Sequence, residues 1–147
     1  MATIWVDQHE VGREHPLPVK VDWFDEANEI APVKEKPVFD IDYTPLNATS
    51  AAPEASRIVK ASAGILYGLT VYSNGVAQWI QIHDAATVPA DAAVPTLVFE
   101  ISADTTRSID FGRYGRRFTN GIVVCNSTTD TTKTIGAANC LFDAQYI

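Results

Sequence analysis

The residues of this chain that could do chemistry are few, and their spacing suits none of the common reactions. His83-Asp84 sets an imidazole beside a carboxylate, the raw material of acid/base work, yet the dipeptide reads as the end of a strand. His9 and His15 are the other histidines, and three scattered imidazoles lack the spacing of a zinc site. Asp110-Phe111-Gly112 spells the magnesium triplet of kinases, but nothing else of a kinase is present in so short a chain. No G-x-S-x-G elbow, Ser-x-x-Lys pair or phosphate-cradling glycine loop occurs. Glu100 is the sole strand-borne glutamate of the later part, so paired carboxylates for glycoside hydrolysis have few candidates. Cys125 falls out of step with Ile122 and Val124, whereas Cys140 falls in step with Phe142. Opposite faces argue against a bridge, so two buried free thiols are expected. The expectation is a protein with no catalytic residue, no cofactor and no metal: not an enzyme.

Something must still position these side chains. At 147 residues and 46% apolar content, the chain can bury one real core. Its net charge of −7 is uneven. Residues 1–55 hold 4 Lys+Arg against 11 Asp+Glu, and residues 56–147 hold 7 against 7. That acidity argues against a nucleic-acid surface. No apolar run is long enough for a bilayer, and the first residues lack the basic and apolar regions of a signal peptide. Asn47-Ala-Thr49 and Asn126-Ser-Thr128 match the glycosylation sequon and are read as chance.

Residues 1–55 carry six of the eight prolines, which disfavours helix. They also carry Trp5, Trp23, Phe24, Phe39 and Tyr43, more apolar payload than a solvated linker needs. An extended arm whose aromatics dock on a partner fits both facts. Asn47–Pro53 reads as its hinge.

From Ser56 onward short alternating runs follow one another, and the expected fold is an all-β sandwich of jelly-roll type spanning 56–147. Its centre is the stretch Gly64–His83, where Asn74-Gly75 predicts a hairpin with a type I′ turn. That register sets Tyr67 against Ile82, Leu69 against Ile80 and Thr70 against Trp79. Tyr67, Leu69, Val71, Ile80 and Ile82 then face the core. Tyr72 and Trp79 come together on the other face, as a contact surface between subunits or a stacking platform for glycans. The glycine-rich F-G-R-Y-G-R-R run offers Arg113, Arg116 and Arg117, whose planar forks suit a carboxylate, either Asp110 or the acidic arm of another subunit.

The segments R-I-V-K-A-S-A-G-I-L-Y-G-L-T-V-Y-S (57–73), Q-W-I-Q-I-H-D-A-A-T-V-P-A-D-A-A-V-P (78–95), F-G-R-Y-G-R-R-F-T-N-G-I-V-V-C-N-S-T-T (111–129) and A-A-N-C-L-F-D-A-Q-Y (137–146) resemble a module of tailed-bacteriophage virion proteins. The resemblance covers roughly residues 56–147 and not the arm. It implies a non-enzymatic structural protein assembled in the bacterial cytoplasm into the virion. Capsid decoration, with the major capsid protein as partner, is the commonest use of such a module. A homo-oligomer is expected, with a trimer favoured. Tail, collar and fibre-attachment proteins use similar modules. A carbohydrate-binding module is the reading from another class.

Overall fold

The computed structural model describes residues 44–147. These form nine antiparallel strands in two sheets: β1 (Leu46–Thr49), β2 (Ser56–Lys60), β3 (Gly64–Ser73), β4 (Gln78–Asp84), β5 (Leu97–Ile101), β6 (Thr105–Asp110), β7 (Arg116–Phe118), β8 (Ile122–Ser127) and β9 (Cys140–Tyr146). The first sheet runs β1-β9-β3-β6, with β7 also on β3; the second runs β2-β8-β4-β5. Strands β6 and β7 flank successive halves of one edge of β3, with Gly68–Ser73 facing β6 and Gly64–Leu66 facing β7. Counted as one position, they leave eight strand positions in two four-stranded sheets. The chain changes sheet at nearly every connection, which is the arrangement of a jelly roll. The expected fold class is therefore the observed one for the described residues.

Alternation builds the core. Leu69 and Val71 of β3, Ile80 and Ile82 of β4, Phe99 and Ile101 of β5, and Phe142 and Ala144 of β9 all point between the sheets. Their strand neighbours point out, as a pleat requires. Strand β8 is the exception, because all six of its residues are buried.

The expected hairpin does not form. Strand β3 pairs with β9 along one edge and with β6 and β7 along the other, while β4 pairs with β8 and β5. With both edges occupied, β3 has no ladder left for its sequence neighbour. The 74–77 turn therefore crosses from one sheet to the other. Gly75 sits at φ 80°, but no positive φ occurs at Asn74, and a type I′ turn needs both. Ser73 Oγ donates to the Val76 carbonyl at 2.6 Å, and Gly75 N donates to Asp104 Oδ1 at 2.7 Å.

Two further expectations change. The β3–β9 register slips between Leu66 and Gly68, so Tyr67 is the extra residue of a bulge and Leu66 takes its place in the core. The expected hinge is partly strand: β1 pairs with β9, and Glu54 exchanges backbone bonds with Cys140 at 2.8 and 3.2 Å. The sandwich begins at Leu46, ten residues before Ser56. Sequence gave no warning, because Ala48 packs opposite Ala144 where the fit demands small side chains rather than large ones.

Candidate functional site

The two outer faces of the sandwich differ. On the second sheet, Gln81 and His83 of β4 and Val123, Cys125 and Ser127 of β8 point outward, yet all are buried. The β4–β5 and β8–β9 connections cover them. These loops join through Ala92 N to Lys133 O at 2.8 Å and Lys133 N to Ala93 O at 2.7 Å. Lys133 is only 4% exposed and its ammonium meets Asp91 at 2.6 Å. Beneath it the Gln81 amide donates to the Thr129, Asp130 and Thr132 carbonyls at 2.8, 3.2 and 3.1 Å.

Electrostatics follow from this cover. Burial, then the Lys133 charge, lowers the His83 pKa, so the ring stays neutral near pH 7. Burial pushes the Cys125 thiol up to about 11 and raises that of Cys140; both cysteines are free. Asp84 does not work with His83. Its carboxylate accepts Asn120 N at 2.7 Å, the Thr119 hydroxyl at 2.7 Å and Thr119 N at 2.9 Å, and these bonds hold its pKa at about 2. The Asp84 and Asp91 carboxylates, both with lowered pKa values, each tie a loop down.

Among the described residues, no loop covers the outer face of the first sheet. Gly68 forms the floor of an open groove rimmed by Asn47, Thr70, Asp110, Asp143 and Gln145, with Thr70 and Ser108 hydroxyls bonded at 2.9 Å. Tyr72 stands two residues along the same face, half-buried.

Tyr72 and Trp79 are therefore not neighbours. They lie on outer faces of different sheets, on opposite sides of the sandwich, and Trp79 pairs with Glu100 and Ser127 instead of Thr70. The proposed glycan platform loses its geometry. The three arginines separate as well. Arg113 lies 5.7 Å over the ring of Tyr114, which is 83% exposed. Arg116 Nη2 donates to the Thr96 carbonyl at 3.4 Å, bridging the two sheets at their edge. Asp110 accepts the Gly112 amide at 2.7 Å. Trp5, Trp23, Phe24, Phe39 and Tyr43 lie outside the described residues.

Arg117 lines a concavity that sequence reasoning missed. An open cleft of 310 Å³ at the end of the first sheet brings it to Lys60, Tyr67, Ile65 and Ile147. The two cations are 57 residues apart in sequence, so no local pattern joins them; the flanking Gly64 and Gly115 were the available signal. Among the described residues no three His, Cys, Asp or Glu side chains gather as a metal site, and no helix is long and apolar enough to cross a membrane.

No family model and no curated protein sequence matches the chain. Among solved structures it is similar to the coat protein of Tobacco streak virus, at 14% identity and a TM-score of 0.28, over 72% of this chain and 89% of that one. A likeness at that level decides nothing further about this chain.

Proposed function

We propose that this chain is a non-enzymatic structural protein of a tailed-bacteriophage virion, and that it decorates the capsid. In this reading the jelly roll sits on the shell as a homo-oligomer, with a trimer favoured, and the N-terminal arm anchors it to the major capsid protein. The observation that supports it best is the division of labour along the chain. The sandwich spends its perturbed polar groups on rigidity, while residues 1–43 hold 10 Asp+Glu against 4 Lys+Arg together with Trp5, Trp23, Phe24, Phe39 and Tyr43. Acidic residues steer such a segment toward a basic surface, and aromatics supply the salt-resistant part of the affinity.

Particles lacking the protein provide the test. Full-length protein should bind them, less tightly as salt rises, whereas a chain starting at Thr44 should fold and fail to bind. Equal binding by both would remove the arm as anchor. Copy number separates decoration from a collar or fibre-attachment role, because decoration covers the shell and a collar occupies one vertex.

A further inference from the structure

We propose that the cleft at Lys60 and Arg117 receives the acidic segment D-W-F-D-E-A-N-E (22–29) of a second copy of this chain. This deepens the structural reading above by naming what holds copies together, and it can be tested without any particle.

The cleft is built rather than incidental. Its cations are uncommitted, since neither Lys60 nor Arg117 has an ion pair or hydrogen bond among the described residues. Gly64 makes room for the lysine stem: a Cβ there would stand 2.7 Å from Lys60 Cδ and 2.6 Å from the Ile147 carbonyl. Gly115, at φ 62°, lets the β6–β7 connection press on β3, where a Cβ would stand 2.9 Å from the Leu66 carbonyl and 3.0 Å from the Tyr67 ring. The bulge at Tyr67 re-aims that residue, and its side chain joins Ile65 in lining the cleft. Two cations beside an aromatic and an aliphatic wall suit a peptide that alternates carboxylates with aromatics.

The chain itself contains that peptide. Residues 22–29 carry Asp22, Asp25, Glu26 and Glu29 around Trp23 and Phe24, with no cation among them. Its reach into another copy follows from where the described chain begins. Leu46 pairs with Tyr146, so Thr44 and Pro45 lie at the same end of the sheet as the Ile147 that lines the cleft. Pro45 restricts Thr44 to extended geometry. Glu29 is 15 residues upstream of Thr44, a span of up to about 50 Å when extended. A domain of about 100 residues has a radius of gyration near 13 Å, so that span reaches a neighbour.

Light scattering and sedimentation of full-length protein over a concentration series supply the test. Wild type should self-associate, and less so between about 0.05 M and about 0.5 M salt. Lys60→Glu with Arg117→Glu should weaken association on the order of tenfold or more. Asp25→Lys with Glu26→Lys should do the same, and all four changes in one chain should restore it by exchanging the charges. Circular dichroism checks folding; should the double reversal unfold, Arg117→Gln at its exposed position should still weaken association. A cleft variant with wild-type mass would overturn the proposal. So would wild type at single-copy mass throughout, or failure of the fourfold exchange to restore association. Self-association through the cleft by protein that does not bind particles would uphold this inference while removing the decoration reading.

Discussion

Removing residues 1–55 should cost the sandwich much of its stability, although the sequence pattern places its first strand at Ser56. A chain starting at Ser56 lacks all of β1. It also loses Ser50 N to Phe142 O at 2.8 Å, Phe142 N to Ser50 Oγ at 2.8 Å, and the reciprocal Glu54–Cys140 pair. The freed groups of β9 would face water at a new edge, so each bond counts at its net value of roughly 0.5–1.5 kcal/mol rather than as a buried orphan. Those four bonds alone amount to about 2–6 kcal/mol, and burial of Ala48 adds to them. Against a typical total of about 5–15 kcal/mol, that is a large share. Core-bearing β9 would also become an unprotected edge, open to pairing with other chains. Urea unfolding of chains starting at Thr44 and at Ser56 measures the difference. The Thr44 chain should unfold cooperatively, and the Ser56 chain should show a clearly lower midpoint or aggregate. Coincident midpoints would refute the assignment of β1 to the sandwich.

Three other perturbations separate features of the fold. Gly75→Val should destabilise by roughly 1–3 kcal/mol because φ is 80° there, while Asn74→Ala should be nearly neutral; a type I′ turn would make both costly, and thermal melts distinguish the cases. Asp84 has its pKa lowered on folding, so its contribution is full above the unfolded value of about 3.9 and is lost as pH falls toward about 2. The stability gap between wild type and Asp84→Ala, measured by urea unfolding, should therefore shrink between about pH 5 and about pH 2. Iodoacetamide should label neither Cys125 nor Cys140 in folded protein at pH 8, since both are buried with raised pKa values, and should label both after unfolding, as mass spectrometry would read.

Which residues face inward was legible in the sequence; which strands meet was not. Leu69, Val71, Ile80, Ile82, Phe99, Ile101 and Phe142 are all core residues that period-two alternation picks out. Their pairing depends on which edges distant strands occupy, and no local turn signal carries that information. Asn74-Gly75 does supply a turn with positive φ, but the turn joins sheets rather than neighbours within one. The polar run S-T-T-D-T-T-K-T (127–134) reads as a polar connection, yet Lys133 within it is buried and three of its carbonyls accept from Gln81. A polar segment that satisfies a polar strand face has the same composition as one that meets only water. The cleft was hidden for a related reason, because Lys60 and Arg117 meet only through the fold.

The unequal faces bear on which of two aromatic residues would sit at the proposed contact between copies. Loops cover the second sheet and tie down through Lys133, Asp91 and Gln81, leaving Trp79 half-buried beside them. Among the described residues the first sheet has no such cover, and Tyr72 stands on its pleats between Leu141 and Thr106, in line with the Gly68 groove. If copies associate across a sheet face, the bare one can approach without displacing a loop. Tyr72→Ala should then weaken the oligomer by about 2 kcal/mol or more, the scale for a central interface aromatic, and roughly thirtyfold in association constant. Trp79→Ala should leave assembly close to wild type while lowering the melting temperature through lost packing. Sedimentation equilibrium on both variants, beside their melting curves, measures the two effects separately. Dissociation by Trp79→Ala with none by Tyr72→Ala would place the contact on the loop-covered sheet and refute the assignment.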